Sequence, residues 1–155
     1  MGIEIERKFL LANSNWKQLA DGGTAIKQGY LSSDINKTIR IRIYGGKGFI
    51  TIKGKTIGIS RPEFEYEIPL KDALQLIKLC EKPFIEKIRY LVHLNGNIWE
   101  IDVFEGANEG LIVAEIELPE ENLKIIVPDW IGIEVSDQVK YFNSNLIRHP
   151  YREWT

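Results

Sequence analysis

The chain has 155 residues, of which 44% are hydrophobic and 27% are charged, and its formal net charge is −2. This length and composition predict a single globular domain over residues 1–155 that buries about two-thirds of its unfolded surface. The weakly acidic balance disfavours duplex nucleic acid as a partner, because such a partner requires a basic surface. The single cysteine, Cys80, excludes a disulfide within the chain. No run reaches the roughly 18 apolar residues of a membrane span, so the expected compartment is the cytoplasm.

Alternation of apolar and polar residues predicts eight short strands. They cover 3–11, 25–33, 38–45, 48–54, 62–69, 84–95, 98–105 and 111–118. Gly45-Gly46 separates the third strand from the fourth, and the Asn-Gly-Asn sequence at 95–97 separates the sixth from the seventh, as hairpin turns do. Helical spacing of apolar residues occurs at 14–20, 71–81 and 137–147. These elements predict a mainly β (α+β) domain of antiparallel strands with three flanking helices, and periodicity alone allows either a sandwich or a barrel.

Like charges recur two residues apart on one face of most of these strands. Glu4 and Glu6 share a face of the first strand, and Arg40 and Arg42 share a face of the third. The ordinary interpretation is the solvated side of an antiparallel sheet. A solvated face, however, tends to mix signs and to include Ser, Thr, Asn and Gln. Here acids share the face of some strands and bases share the face of others. This separation of acidic and basic strands therefore favours a barrel whose charged faces point inward. Its acids would be Glu4, Glu6, Glu63, Glu65, Glu67, Glu100, Asp102, Glu115 and Glu117, and its bases Lys8, Arg40, Arg42, Lys53, Lys87 and Arg89.

Such an interior needs ligands, because dehydrating a charge costs several kcal/mol per ion unless a partner compensates. Clustered carboxylates suit Mg²⁺ or Mn²⁺, while Arg and Lys side chains suit phosphate oxygens. The sequence has no Walker loop or Gly-rich dinucleotide motif, so phosphate recognition would come from side chains.

The same residues lie in motifs that resemble those of the CYTH superfamily, the triphosphate tunnel metalloenzymes. EIERK at the N-terminus matches the family's ExExK signature, and further motifs follow in the family's order over essentially the whole chain. They are RIR, TIKG, RPEFEYEI, EKIRY, WEIDVF, AEIELP and GIEVSDQVKYFNSNL. The resemblance implies an eight-stranded antiparallel barrel that binds a triphosphate and a divalent metal.

The resemblance also implies roles for individual residues. Metal-binding acids would be Glu4, Glu6, Glu115 and Glu117, with Asp102 as a further ligand or as a residue behind the ligands. The catalytic and triphosphate-binding bases would be Lys8, Arg40, Arg42, Lys53, Lys87 and Arg89, with Lys140 as an additional substrate-binding candidate. Glu63, Glu65 and Glu100 would form a lumen network that holds the bases in place, whereas Glu67 and Lys55 are interpreted as structural.

The function expected from this resemblance is a metal-dependent triphosphatase acting on inorganic tripolyphosphate, with ATP or thiamine triphosphate as further candidate substrates. The first alternative is a class IV-type adenylate cyclase, which would convert ATP to cyclic AMP and pyrophosphate. The second is a polyphosphate-binding module without catalytic activity. The resemblance is also compatible with a homodimer.

Overall fold

The computed structural model describes residues 2–154, and nine strands dominate it. All eight predicted strands are present, with ends within two residues of the predicted ones. The strands are β1 Gly2–Leu11, β2 Thr24–Ser32, β3 Lys37–Tyr44, β4 Lys47–Gly54, β5 Ser60–Ile68, β6 Ile85–Leu94, β7 Asn97–Phe104, β8 Ile112–Glu117 and β9 Ile131–Glu134.

Eight strands close into one antiparallel barrel in the order β1-β5-β4-β3-β2-β6-β7-β8, with β8 returning to β1. Closure occurs at β1, whose residues 6–10 pair with β8 while residues 2–5 pair with β5 on the opposite edge. The barrel is thereby confirmed over the sandwich. β9 pairs with the far end of β1, where Leu11 lies opposite Ile131. This ninth strand was not predicted, because four residues are too few for alternation to be recognised.

The two predicted hairpin turns are confirmed by backbone conformation. Gly45 and Gly46 both have positive φ, at 60° and 76°, and so do Asn95 and Gly96, at 53° and 75°. Positive φ at both central residues is what the common two-residue hairpin requires, and Gly and Asn adopt it with the least strain.

Helical segments occur where they were predicted, but they are shorter. The first is a 3₁₀ turn at Asn15–Gln18, and the second is α1 Leu70–Leu76 continued by a 3₁₀ turn at Ile77–Leu79. The third divides at Phe142, whose backbone is extended, into a 3₁₀ turn at Val139–Tyr141 and α2 Asn143–Leu146. Isolated helices this short have little intrinsic stability, so tertiary contacts set their lengths. Further 3₁₀ turns lie at Gly106–Asn108 and Tyr151–Glu153.

Within residues 2–154, no helix has the length and apolarity that crossing a bilayer would require.

Parts of the apolar outer surface of the barrel are covered by its own chain. Trp99 on β7 is fully buried between Phe9 and Trp130, with ring centroids 5.7 Å away in both cases. On the other side, α1 covers β3 and β4. It approaches so closely that a Cβ on Gly48 would lie 2.5 Å from the Cβ of Ala73. The apolar faces of the strands therefore point outward, and the charged faces line the lumen.

At one end of the barrel the inward faces become apolar. Ile85, Phe104 and Val113 point inward there, each two residues along its strand from an inward-facing charged residue. The C-terminal segment packs on them, and Leu146 of α2 is fully buried among them. This segment therefore closes one end of the lumen instead of flanking the barrel as expected. Helical spacing identifies an apolar face, but it does not identify the surface that the face will cover.

Candidate active site

A cavity of about 300 Å³ lies inside the barrel, and side chains from all eight barrel strands line it. It brings together Arg40 and Glu117, which an open sheet could have placed on opposite surfaces. Most of the predicted site residues line this cavity, namely Glu4, Glu6, Lys8, Arg40, Arg42, Lys53, Glu63, Glu65, Lys87, Arg89, Glu100, Glu115 and Glu117.

Strand register places acids beside bases across the lumen wall. On β1 and β8, Lys8 lies opposite Glu115, and on β4 and β5, Lys53 lies opposite Glu63. Cross-strand partners have Cβ atoms about 5 Å apart. The one-residue alternation of each strand sends every second side chain to the same side, so register and alternation together concentrate these charges in one space.

The three glutamates expected to hold the bases each pair with one. Glu65 accepts hydrogen bonds from Thr51 at 2.8 Å and from Nη2 of Arg40 at 3.2 Å. Glu63 lies 3.3 Å from Nζ of Lys53. Glu100 lies 3.1 Å from Nη1 of Arg89. These contacts orient basic side chains from the wall of the lumen.

Asp102 lies behind the cavity wall and is fully buried. Its oxygens accept hydrogen bonds from Nε and Nη2 of Arg89 at 2.8 and 2.9 Å, and Nζ of Lys87 lies 2.7 Å from Oδ2. Burial would raise the pKa of Asp102, but Arg89 and Lys87 lower it. Both carboxylate oxygens are thus engaged by bases, an arrangement that suits a positioning residue better than a direct metal ligand.

The basic side of the lumen lacks enough acceptors. Among residues 2–154, Arg42 forms no salt bridge, and its Nε donates to Oε1 of Gln28 at 2.8 Å. Burial, together with the neighbouring Arg40 and Arg89, lowers the pKa of Arg42 to about 9. Nε of Arg40 is buried and has no hydrogen-bond partner in the described part of the chain. Buried donors are normally satisfied, so this side of the lumen fits an anion with several oxygens.

Lys87 shows the same excess of positive charge. Its ammonium is almost completely buried and contacts Asp102 and Oδ1 of Asn143. Burial lowers its pKa to about 7, and the positive charges of Arg89 and Arg42 act in the same direction against Asp102. A bound anion would favour the protonated form of Lys87.

The acidic side carries the complementary excess. Burial and repulsion from Glu115 and Glu4 raise the pKa of Glu6 well above its usual value. Burial would also raise the pKa of Glu115, but Lys8, the hydrogen bond from Glu6 and Arg89 lower it well below its usual value. Glu6 and Glu115 therefore shift each other's pKa in opposite directions, as two neighbouring carboxylates in one buried site do.

These carboxylates fit a divalent cation, which would offset the repulsion between them. Residues 2–154 contain no preassembled group of three ligands at metal-binding distances. Mg²⁺ nevertheless commonly uses one or two carboxylates and completes its coordination with water and substrate phosphates. Glu6 and Glu115 could supply the carboxylates, with Glu117 opposite Glu6 in register and Glu4 on the same face of β1.

The structure does not bring Lys140 to the cavity. Its side chain is exposed, and its ammonium lies 4.7 Å from the ring centroid of Trp154 and 5.3 Å from that of Tyr141. The 3₁₀ turn at Val139–Tyr141 directs it outward, a conformation that the predicted continuous helix did not anticipate. Lys140 therefore lies outside the cavity.

Several lining residues were missed by the sequence reasoning. Arg61 lines the cavity because β5 begins at Ser60, before the predicted start at 62. Its alternation with Glu63 was a signal that could have identified it. Phe142, Asn143 and Ser144 also line the cavity, but no pattern in the sequence indicates that the C-terminal segment enters the barrel.

Comparison with known proteins agrees with this architecture. The CYTH domain family matches residues 2–151. The chain is 49% identical over 155 residues to an inorganic triphosphatase of Acetivibrio thermocellus, covering 99% of both chains. It is 35% identical over 147 residues to an inorganic triphosphatase of Nitrosomonas europaea, covering 92% of this chain and 95% of that one. The crystal structure of an inorganic triphosphatase superposes with a TM-score of 0.64 and 33% identity, covering 93% of each chain.

The family match spans nearly the whole chain, the two relatives match it over nearly their full length, and the solved inorganic triphosphatase shares its fold. The chain therefore belongs to the CYTH domain family.

Proposed function

We propose that this protein is a divalent-metal-dependent triphosphatase that hydrolyses the terminal phosphoanhydride of inorganic tripolyphosphate inside the barrel. Two relatives that match it over nearly their full length are inorganic triphosphatases, which confirms the class of enzyme expected from the sequence. CYTH triphosphatases are metal-dependent in general. We propose Mg²⁺ or Mn²⁺ as the metal, because both prefer carboxylate oxygens.

One observation carries the proposal, the separation of unsatisfied charge within a single cavity. The arginine side has a buried Nε without an acceptor on Arg40 and an Arg42 without a carboxylate partner in the described residues. On the acidic side, burial and repulsion from Glu115 and Glu4 raise the pKa of Glu6 well above its usual value. A triphosphate chain with its metal would supply oxygens to the first side and a cation to the second.

In this proposal the bases bind the phosphate chain and stabilise the charge that develops on the transferring phosphoryl group. They are Lys8, Arg40, Arg42, Lys53, Lys87 and Arg89. Glu4, Glu6, Glu115 and Glu117 would hold the metal, which when bound neutralises phosphate charge and polarises the phosphate oxygens. Asp102, Glu63, Glu65 and Glu100 keep the bases oriented. Water attacks the terminal phosphorus, the P–O bond to the bridging oxygen breaks, and orthophosphate and pyrophosphate leave.

The small inorganic substrate is supported by the shape of the lumen. The cavity occupies about 300 Å³, and the C-terminal segment closes one end of the barrel. Such a site accommodates a short linear anion more readily than a nucleotide.

We further propose one CYTH-like domain for residues 1–155. We also propose a cytoplasmic protein, since its only cysteine can form no disulfide within the chain.

A substrate panel tests the function directly. Purified protein is incubated with tripolyphosphate, pyrophosphate, ATP and thiamine triphosphate, each with Mg²⁺ and with Mn²⁺, and released phosphate is measured. We expect release from tripolyphosphate with metal and none without it. Cyclic AMP and pyrophosphate from ATP would instead support a cyclase. Tripolyphosphate binding without turnover in either metal would support a binding module.

A further inference from the structure

Arg61 lines the lumen but is not one of the six bases proposed to bind phosphate. It is the second residue of β5, and its side chain is 19% exposed. Its guanidinium carbon lies 5.9 Å from the ring centroid of Phe142, and Nζ of Lys8 lies 5.7 Å from the same centroid. Arg61 and Lys8, a member of the proposed phosphate-binding set, therefore both lie close to Phe142.

Its hydrogen-bonding capacity is largely unused. An arginine has five N–H donors. Within residues 2–154, the one hydrogen bond that the Arg61 side chain forms runs from Nε to Oε1 of Glu4, at 3.1 Å. By contrast, Arg7 on the outside of the barrel binds Glu134 through both Nε and Nη2, at 3.0 and 2.7 Å. Arg61 lines the cavity, and its Nη1 and Nη2 have no hydrogen-bond acceptor within the described residues, so both are available to an anion.

Glu4, the partner of Arg61, is also engaged by a second base. Nζ of Lys53 lies 3.1 and 3.0 Å from its two oxygens. Burial would raise the pKa of Glu4, but Lys53 and Arg61 lower it to about 2. A divalent cation that uses Glu4 must compete with these positive side chains for the same oxygens. Arg61 is the one of the two that has free donors to turn elsewhere.

Resting on the function proposed above, we propose that Arg61 is a further substrate-binding residue. Its Nη1 and Nη2 donate to a phosphate oxygen, and its Nε releases Glu4 when a divalent cation binds that carboxylate. In the absence of ligands it serves as a counter-ion for Glu4. With both ligands bound it contributes to the phosphate-binding side. Removal of Arg61 therefore affects the two ligands in opposite directions, because it removes a competitor of the cation and a donor to the anion.

The test measures binding of each ligand alone. Binding of Mn²⁺ without phosphate is followed by electron paramagnetic resonance, and binding of tripolyphosphate without metal is followed by calorimetry. For Arg61→Gln we expect tighter Mn²⁺ binding by several-fold, and tripolyphosphate binding weaker by about tenfold, which corresponds to one charged hydrogen bond. Arg7→Gln is the matched control, since it removes an arginine–glutamate pair outside the lumen and should change neither constant.

A second variant keeps the test independent of folding effects. Arg61→Lys retains the positive charge but lacks the Nη1 and Nη2 donors, so Mn²⁺ binding should stay near that of the wild type while tripolyphosphate binding weakens. Arg61 variants that match Arg7→Gln in both constants would overturn the inference, as would weaker Mn²⁺ binding by Arg61→Gln. In both cases wild-type hydrolysis of tripolyphosphate would leave the proposed function standing. A wild-type protein that neither binds nor hydrolyses tripolyphosphate would overturn the function itself.

Discussion

At the scale of single residues, the lumen keeps ionisable groups in surroundings that oppose their usual charge. Burial and like charges raise the pKa of Glu6, and they lower those of Arg42 and Lys87 to about 9 and about 7. Asp102 shows the opposite situation, since Arg89 and Lys87 saturate its oxygens. Charged residues whose charge is not balanced by neighbouring side chains are thus candidates for ligand binding. Charged residues whose hydrogen-bonding groups are all satisfied by side chains maintain the geometry of the site.

Glu6→Gln should stabilise the metal-free protein, and the gain should increase with pH. The pKa of Glu6 is higher in the folded protein than in the unfolded chain, so between these two values the folded state binds more protons. The wild type therefore loses stability as pH rises above about 4.5, whereas glutamine imitates the protonated carboxyl at every pH.

The measurement is the melting temperature of both proteins in a chelator at pH 5 and at pH 8. The difference in favour of the variant should be larger at pH 8. With metal present, the variant should also need a higher Mg²⁺ or Mn²⁺ concentration for half-maximal activity. Superimposable metal titrations would remove Glu6 from the metal site.

Arg42→Met should weaken tripolyphosphate binding by about 100-fold, since it removes two or more charged hydrogen bonds to the ligand. The free energy of unfolding without ligand should fall by no more than about 1 kcal/mol, the value of the lost bond to Gln28, because repulsion with Arg40 and Arg89 is relieved. Calorimetry and thermal unfolding give the two quantities.

Arg89→Met provides the contrast. Arg89 forms salt bridges with Asp102 and Glu100, so its removal leaves a buried carboxylate with less compensation and should cost about 3–5 kcal/mol of stability. A large loss of unliganded stability in Arg42→Met, with binding unchanged, would show that Arg42 is a structural residue.

At the scale of elements, the C-terminal segment determines which end of the lumen is closed. The C-terminal segment inserts apolar residues between inward faces of β6, β7 and β8. It also supplies polar contacts, because Nζ of Lys8 donates to the carbonyl oxygen of Tyr141 at 3.1 Å, and Lys87 donates to Asn143. The same segment therefore covers one end of the lumen and helps to position two bases.

Leu146→Ala should lower the melting temperature by roughly 5–20 °C, because truncation of a fully buried leucine costs about 2–5 kcal/mol. Leu79→Ala is the matched control, since Leu79 is 72% exposed and should change stability by no more than about 0.5 kcal/mol. Differential scanning calorimetry distinguishes them. Equal melting temperatures for the two variants would mean that the segment does not pack in the barrel end.

At the scale of the whole molecule, the charges nearly cancel but are sorted in space. The chain carries 20 basic and 22 acidic residues, and many of them face one another across a single cavity. Ligand-free folding therefore leaves repulsion within each group of like charges. Binding of both a cation and an anion relieves this repulsion, so the liganded barrel should be considerably more stable than the empty one.

Tripolyphosphate with Mg²⁺ should raise the melting temperature by roughly 5–10 °C at a ligand concentration of about 100 times Kd, since ligand binding then contributes about 2.7 kcal/mol. The measurement is a thermal shift series over ligand concentration at short times, before hydrolysis depletes the ligand. Arg42→Met at the same concentrations should show a much smaller shift. Equal shifts in both proteins would place the anion elsewhere.

The strands and most of the inward-facing charges could be predicted from the sequence. Glu67 is the exception among the acids, since it is exposed and pairs with Lys47. Alternation located eight strands, because the pleat fixes which side chains share a face. Like-charged pairs such as Glu4 and Glu6, or Arg40 and Arg42, need opposite charges nearby to offset their repulsion. This need indicated that the acidic and basic faces line the same lumen. The family motifs added the triphosphate and the metal. These features depend on residues close together in the chain, which is why local pattern was sufficient.

Which of these residues are free to bind ligands depends on the closed barrel. Strand register gave Asp102 two basic partners and left Arg42 without a carboxylate in the described residues. Because β5 starts at Ser60, Arg61 contacts Glu4. The extended backbone of Phe142 divides the last predicted helix, and Lys140 points outward. Each of these outcomes depends on contacts between residues distant in sequence. Their energies depend on burial and on the distance between charges, and neither quantity is defined until the barrel has closed.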